Sequence, residues 1–280
     1  MMKVFTVDLS LCNGCYCCQI ACKDEHVGND WSPYAKPQPD TGQFWIGITE
    51  HVRGQVPHVK MTYLPKLCHH CDEAQCIDQC PAGAITKRPD GMVLLHPDRC
   101  TGCRLCVTSC PYEAIYFNEE LNIAQKCTGC SHLRDSDPDE WPVPRCVDQC
   151  PTEALKFVEE EDAADFLRQA EPLLPTDSSK PRVYYQGLPR KFVAGTLYDP
   201  GTREVIIGAR CRLADEETGE WHETETDDFG DFWFNDLKDN GKFSLTLTFG
   251  NDTKVLRDIT TDRDISLGDI PFALSNAAAC

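Results

Sequence analysis

Residues 100–111 read CTGCRLCVTSCP, a C-x2-C-x2-C-x3-C-P run made by Cys100, Cys103, Cys106 and Cys110. No other feature restricts the fold as tightly, because three sulfurs on one short loop force the backbone to turn around a common centre. The same ruler laid on CNGCYCCQIAC, residues 12–22, selects Cys12, Cys15, Cys18 and Cys22 and leaves Cys17 over. CHHCDEAQCIDQCP supplies Cys68, Cys71, Cys76 and Cys80, and CTGC with a more distant CVDQCP supplies Cys127, Cys130, Cys146 and Cys150. Four quartets thus absorb sixteen of the 19 cysteines.

This spacing is the bacterial ferredoxin run, in which the fourth cysteine ligates the other cluster of a pair. Two-residue gaps let three thiolates cap three irons of a cubane while backbone amides point at its sulfides. The fourth cysteine is expected to open a helix leading to the neighbouring cluster. Pro81, Pro111 and Pro151 suit the first turn of that helix, where no N–H is needed. Ala84, Ala114 and Ala154 are small enough to pack under a cluster. Because all sixteen positions are cysteine, four [4Fe-4S] clusters and no three-iron cluster are expected. Zinc sites use separated C-x2-C pairs, and only the split Cys127/Cys130 and Cys146/Cys150 set reads that way. Disulfides need an oxidising compartment and fit the spacing poorly. Cys17, Cys211 and Cys280 read as ordinary thiols.

The segments CPAGAITKRPDGMVLLHPDRC and CPYEAIYFNEELNIAQKC share a layout of short helix, strand, turn and strand, with Asp90-Gly91 as a hairpin turn. Such duplication is what a pseudo-symmetric two-cluster ferredoxin fold shows. The expected class is α+β: a duplicated bacterial-type ferredoxin fold over residues 1–157, followed by a β-sandwich. An insertion at 23–67 is rich in aromatics and proline (Trp31, Pro33, Tyr34, Pro37, Pro39, Phe44, Trp45). It reads as partly strand, either filling the core or covering a cluster and meeting a partner.

Lys23, Lys66, Arg99, Arg104, Lys126 and Arg145 stand beside cysteine ligands in the sequence. A nearby cation favours the more negative reduced state and raises a cluster's potential. The plainer reading is a set of surface lysines and arginines. His69 and His70 follow Cys68 and are expected to give hydrogen bonds rather than ligation.

Residues 158–189 read as a helix and a linker. VEEEDAADFLRQAEPLL places Ala163, Phe166, Leu167 and Ala170 on one helical face, Pro172 and Pro175 end it, and PTDSSKP is loop-like. From 190 to 280 seven short strands alternate with turns such as Asp239-Asn240-Gly241: KFVAGTLYD, EVIIGARCRLAD, EWHETET, DFWFNDL, FSLTLTFG, KVLRDIT and ISLGDIPF. That pattern predicts an antiparallel β-sandwich. FGDFWFNDLKDNGKFSLTLT resembles the transthyretin-like or carboxypeptidase-regulatory-like sandwich. His222 and its acidic neighbours read as a solvated face, so a docking role is expected for this domain.

Net charge is −18, which argues against a nucleic-acid partner and against docking on anionic lipid. No apolar run reaches the length of a membrane span. MMKVFTVDLS has no signal-peptide pattern, so the expected location is the cytoplasm, or export in a folded state with a signal-bearing partner. No nucleophile stands with a base and there is no Gly-rich nucleotide loop. No catalytic residue is therefore assigned, and the expected role is electron relay.

Four quartets in this order resemble the iron–sulfur electron-transfer subunits of the molybdopterin oxidoreductase family (dimethyl sulfoxide reductase type). The resemblance implies a pairing. Cluster 1 takes Cys12, Cys15, Cys18 and Cys150, and cluster 2 takes Cys127, Cys130, Cys146 and Cys22. Cluster 3 takes Cys68, Cys71, Cys76 and Cys110, and cluster 4 takes Cys100, Cys103, Cys106 and Cys80. It also implies a large catalytic subunit carrying a molybdenum or tungsten bis-pterin, in a heterodimer or a multiple of it, together with a further electron donor. Within the family, NDWSPYA (29–35), FWIGITEHVRGQVP (44–57), NEELNIAQKCTGCSHL (118–133) and KPRVYYQGLPR (180–190) resemble the small subunits of pyrogallol–phloroglucinol transhydroxylases. That likeness implies a phenolic substrate for the complex. That branch is expected to lack some cluster ligands, whereas this chain keeps all sixteen. A full set suits reductive dehydroxylation, which consumes two electrons, at least as well as transhydroxylation, which consumes none. The alternatives are a relay for another molybdopterin reductase or dehydrogenase, a free-standing polyferredoxin, and a zinc-built scaffold.

Overall fold

KVFTVD alternates apolar and β-branched residues with a short polar frame, and its four inner residues are buried, as a strand covered on both faces requires. In the computed structural model it forms β1 (Lys3–Asp8). The structure describes residues 2–26, 45–174 and 178–275. Trp31, Pro33, Tyr34, Pro37, Pro39, Phe44, the NDWSPYA stretch, Pro175 and Cys280 lie outside the described residues. Contacts divide the chain into two units, residues 1–50 with 62–188, and residues 51–61 with 189–280.

In the first unit, β1 is followed by helix α1 (Cys17–Glu25) and by the base of a hairpin of β2 (Ile46–Gln55) and β3 (His58–Leu67). Short helix α2 (Gln75–Asp78) precedes the hairpin β4 (Ile85–Lys87) and β5 (Val93–Leu95). Helix α3 (Leu105–Ser109) precedes the hairpin β6 (Ile115–Asn118) and β7 (Ile123–Lys126). Then come α4 (Ser131–Ser136), α5 (Arg145–Asp148), β8 (Leu155–Glu159), α6 (Ala164–Leu167) and β9 (Val183–Gln186). β1 is the middle strand of a sheet, with β8 antiparallel on one side and β9 parallel on the other. Phe5, Val7, Phe157, Val183 and Tyr185 from these strands pack with Cys18, Cys22 and Cys146 in one apolar core.

Three expectations are corrected in this unit. In the three quartets that end in Cys-Pro the helix comes before the fourth cysteine, not after it, whereas Cys22 of the first quartet lies within α1. Cys-Pro instead opens a tight turn: the amides of Gly83, Glu113 and Glu153 donate to the carbonyls of Cys80, Cys110 and Cys150, each at 3.2 Å. Proline pre-sets the φ of a turn's second residue as readily as that of a helix's first, so the motif alone does not distinguish them. The long helix over 158–174 is reduced to the single turn of α6, because Val158 and Glu159 are drawn into β8 by pairing with Val4 and Lys3. Tertiary pairing overrides a weak local preference there. Finally, residues 179–182 are no slack linker. The amides of Asp72 and Glu73 donate to the carbonyls of Lys180 (2.9 Å) and Ser179 (3.0 Å), and Arg182 N donates to His69 O (2.8 Å).

The second unit holds seven strands: β10 (Lys191–Tyr198), β11 (Arg210–Asp215), β12 (Trp221–Glu225), β13 (Asp231–Leu237), β14 (Lys242–Phe249), β15 (Asp252–Thr260) and β16 (Ile265–Pro271). They form a three-stranded sheet in the order β13-β10-β16 and a four-stranded sheet in the order β12-β11-β14-β15. Alternate residues point inward. Val193, Leu197, Phe232 and Phe234 of the first sheet meet Leu213, Phe243, Leu245 and Leu247 of the second in a single core. The expected all-antiparallel pairing is corrected at one place: β16 runs parallel to β10. The chain reaches β16 by crossing from the other sheet, so no hairpin imposes antiparallel direction. Within this unit the hairpin residues 51–61 are pinned by buried His58, whose Nδ1 lies 2.9 Å from Ser266 Oγ and whose Nε2 lies 3.2 Å from Thr196 Oγ1.

Candidate metal centres

The cysteine loops turn by one device. The residue before the second cysteine has positive φ in all four: Gly14 (69°), Gly102 (72°), Gly129 (61°) and His70 (46°). Glycine adopts this region without penalty, and at Gly14 a Cβ would also lie 2.4 Å from the Tyr63 ring. His70 carries a side chain there, at a cost of about 1–2 kcal/mol. Its compensation is visible. His70 is fully buried, and its Nδ1 accepts a hydrogen bond from Val93 N at 2.9 Å. In the neutral ring Nε2 therefore carries the proton. Burial, followed by the charges of Lys126 and Lys87, holds the His70 pKa well below its ordinary value.

Two cavities gather cysteines from different stretches of chain. Cys68, Cys71, Cys76 and Cys110 line one, together with His69, His70, Tyr112 and Ser179. Cys80, Cys100, Cys103 and Cys106 line the other, with Ala84, Arg104 and Ala124. The fourth cysteine of each of these two quartets thus stands in the ring of the other. Cysteines of the first and last quartets lie close enough to act on one another's thiols. Burial first, then Cys12, Cys150 and Cys15, push the Cys18 thiol up to about 12. Burial first, then Cys22, Cys127, Cys130 and Cys18, raise Cys146 well above its usual value. Cysteines of different quartets also lie near one another. Cys18 acts on Cys146, Cys68 acts on Cys127, and the two cavities share the core around Ile85, Val93, Cys106 and Ile115.

Hydrogen bonds reach the sulfurs from the backbone. His70 N donates to Cys68 Sγ (3.5 Å), Ala84 N to Cys80 Sγ (3.3 Å), Ala114 N to Cys110 Sγ (3.4 Å) and Gly129 N to Cys127 Sγ (3.3 Å). Ala84 and Ala114 are buried, so these small residues both pack under the rings and aim an amide at them. These features fit anionic iron–sulfur centres. Burial raises the thiols of Cys18, Cys22, Cys127 and Cys146 above their ordinary range, and metal binding is what makes such thiols thiolate. Among the described residues no three His, Cys, Asp or Glu side chains converge on a single metal ion. The quartets surround volumes instead, and all described cysteines are free of disulfides. Cys17 stands next to Cys15, and Cys211 is buried in the second unit with Sγ 3.5 Å from Ala209 O.

The six flanking cations differ sharply. Lys66 and Arg99 are exposed. Lys23 is half-buried at the end of α1. Arg104 lines the cavity of Cys100 but pairs with Glu119 and lies over Phe117 at 3.8 Å. Arg145 pairs with Glu25 (3.6 Å) and Asp148 (3.2 Å). Lys126 alone of the six is buried, 1 % exposed.

Sequence reasoning missed several further groups. Ser179 Oγ donates to Cys71 Sγ at 3.2 Å. Lys87 Nζ donates to His70 O (3.0 Å) and Cys71 O (2.8 Å) and pairs with Asp72. Arg134 Nε donates to Gly129 O at 2.8 Å, and its charge acts on Cys130. Ser179 and Lys87 are remote in sequence from the sulfur loop they serve, and folding brings them to it. Arg134 follows Cys130 by four residues on α4, a spacing that points it back at the loop.

Residues 59–160 match the 4Fe-4S dicluster domain. Over 271 residues the chain is 34 % identical to the pyrogallol hydroxytransferase small subunit of Pelobacter acidigallici, covering 94 % of this chain and 97 % of that one. The chain belongs to the iron–sulfur electron-transfer subunits of the molybdopterin oxidoreductase family. As a family member it is also 32 % identical to a tetrathionate reductase subunit of Salmonella typhimurium over 193 residues, 67 % of this chain and 73 % of that one. Over 112 residues it is 41 % identical to the arsenate respiratory reductase iron-sulfur subunit of a Shewanella species, 40 % of this chain and 43 % of the other. Its role as an iron–sulfur electron-transfer subunit follows from that membership. Among the described residues no helix is long and apolar enough to cross a membrane.

Proposed function

We propose that this chain holds four [4Fe-4S] clusters in a line and relays electrons to or from a molybdenum or tungsten bis-pterin centre on a separate large subunit. The ligands are Cys12, Cys15, Cys18 and Cys150; Cys22, Cys127, Cys130 and Cys146; Cys68, Cys71, Cys76 and Cys110; and Cys80, Cys100, Cys103 and Cys106. The observation that carries this reading is the exchange of Cys80 and Cys110 between two cavities, the arrangement of a two-cluster ferredoxin. Bound clusters supply one-electron storage. The chain's own residues fix their order, shield them in apolar cores and set their potentials through amides, Ser179 and nearby cations.

The substrate of the complex is a phenol of catechol or pyrogallol type, acted on by hydroxyl transfer or reductive dehydroxylation. Supporting this is the likeness, over nearly the whole chain, to the small subunit of a pyrogallol hydroxytransferase. The second unit is a β-sandwich of transthyretin-like kind that serves docking, and the complex works in the cytoplasm or is exported already folded. The test is anaerobic purification with the large subunit. About sixteen iron atoms per chain and loss of a phenolic hydroxyl with reduced viologen as donor are expected. Zinc in place of iron would overturn the relay. Full iron with turnover only on a non-phenolic acceptor would overturn the substrate and favour another molybdopterin reductase.

A further inference from the structure

Lys126 ends β7, immediately before Cys127, with its side chain in the interior. Its Nζ donates to two backbone carbonyls, Val93 O and, at 2.8 Å, Cys127 O. Val93 lines the cavity of Cys68, Cys71, Cys76 and Cys110. Cys127 belongs to the neighbouring ring with Cys22, Cys130 and Cys146. The ammonium is therefore tied at once to the walls of two successive centres. Cys68 and Cys127, one from each ring, pack together in the same small core.

No carboxylate among the described residues pairs with Lys126. A buried ammonium hydrogen-bonded only to neutral carbonyls is costly. Lys87, by contrast, is neutralised by Asp72 at 2.8 Å, and Arg134 reaches Asp90 at 3.4 Å. The groups left to balance Lys126 are the two thiolate rings, whose walls its Nζ reaches at Val93 O and Cys127 O.

We propose that Lys126 is a shared positive charge at the junction of two successive centres, raising the reduction potentials of both together. It is a positioning residue for electrons rather than a ligand. A charge fixed between two centres stabilises the reduced form of either, so it raises both junction potentials relative to those of the two end centres. The centres built on Cys15 and Cys103 have no part in this, because neither of the hydrogen bonds of Lys126 goes to a residue of those cysteine sets.

The inference rests on the four-cluster reading, and its test separates the two. The complex is purified anaerobically with Lys126→Met, and each centre is titrated by EPR at controlled potential. Cys71→Ser, Cys130→Ser, Cys15→Ser and Cys103→Ser assign the signals. Normal iron with four signals in the unsubstituted complex upholds the cluster reading, and their absence sinks that reading first. Given four signals, Lys126→Met is expected to lower the two junction centres by at least tenfold in the reduction equilibrium, about 59 mV for one electron. The end centres stay in place, and Lys126→Arg keeps all four potentials. Failure of either junction centre to move, or an equal shift of all four, overturns the proposal. Should Lys126→Met not assemble, Lys126→Gln removes the charge and keeps a donor. If neither charge-free variant assembles while Lys126→Arg does, Lys126 is a structural counter-ion and the tuning claim falls.

Discussion

Ser179 donates its hydroxyl to Cys71 Sγ at 3.2 Å across 108 positions of sequence. The bond is made by a segment that reads as a spacer, and it ties that segment to the rim of a metal ring. A hydrogen bond to a ligand sulfur stabilises the reduced state. Ser179→Ala is therefore expected to lower the potential of the centre that includes Cys71. A net bond of about 1 kcal/mol corresponds to about 40 mV on the scale of 59 mV per tenfold change. Redox titration of the full complex checks the direction, and a rise in potential would contradict it.

Arg104 looks like a tuning residue in the sequence, but its guanidinium pairs with Glu119 and half of the side chain is in solvent. Both facts weaken its field at the cluster, since exposed pairs are screened. Arg104→Gln is expected to shift the centre that includes Cys100 by less than Ser179→Ala shifts its own. A larger shift would show that the pair opens in the complex.

Arg182 holds the same spacer through its side chain. It grips Asp72 with two bonds of 2.6 and 2.8 Å and reaches Glu160 at 3.0 Å. Burial raises the Asp72 carboxyl, but Arg182 and Lys87 together hold it below the ordinary range. Removing one partner of a buried pair costs about 3–5 kcal/mol, and the partial exposure of Asp72 reduces that to about 2 kcal/mol. Asp72→Asn is expected to lower the unfolding temperature and to speed iron loss from the adjacent ring. Differential scanning calorimetry and a chelator-release assay read the two effects, and unchanged values in both would refute the role assigned to Arg182.

These residues show how the chain could and could not be read from its sequence. The cysteine spacing marked the four tight loops, because loop geometry is local. Alternation in FSLTLTFG and DFWFNDL marked strands for the same reason. The direction of β16 was not legible, since it depends on which sheet the chain crosses to. Nor was the role of Ser179, whose partner is set by a fold of more than a hundred residues. Cys-Pro alone does not tell a helix start from a turn, because proline serves both alike. Lys126 stood in a plausible set of six, but only burial separates it from the five others.

His58 anchors hairpin residues within the second unit. Both ring nitrogens are engaged, by Ser266 and Thr196, and the ring packs edge-on to Trp233 at 5.4 Å. His58→Ala removes two buried hydrogen bonds and an aromatic contact, about 2–3 kcal/mol in total. Hydrogen exchange is expected to quicken at residues 51–61, with the strands β11 and β14 unaffected. Protection retained at 51–61 would mean that Arg53, paired with Asp264 at 3.0 Å, suffices alone.

Cys80 and Cys110 decide how the rings are composed. By sequence, Cys80 closes the quartet of Cys68, Cys71 and Cys76. In space it lies with Cys100, Cys103 and Cys106, and Cys110 takes the reciprocal place. Serine is a poorer ligand for this iron than thiolate and perturbs the centre it serves. Cys80→Ser is therefore expected to alter the EPR signal that also responds to Cys103→Ser and to spare the one that responds to Cys71→Ser. Cys110→Ser should do the reverse. If each substitution instead disturbed the centre of its own sequence quartet, the exchange between cavities would be wrong, and with it the linear order of centres on which electron passage through this chain depends.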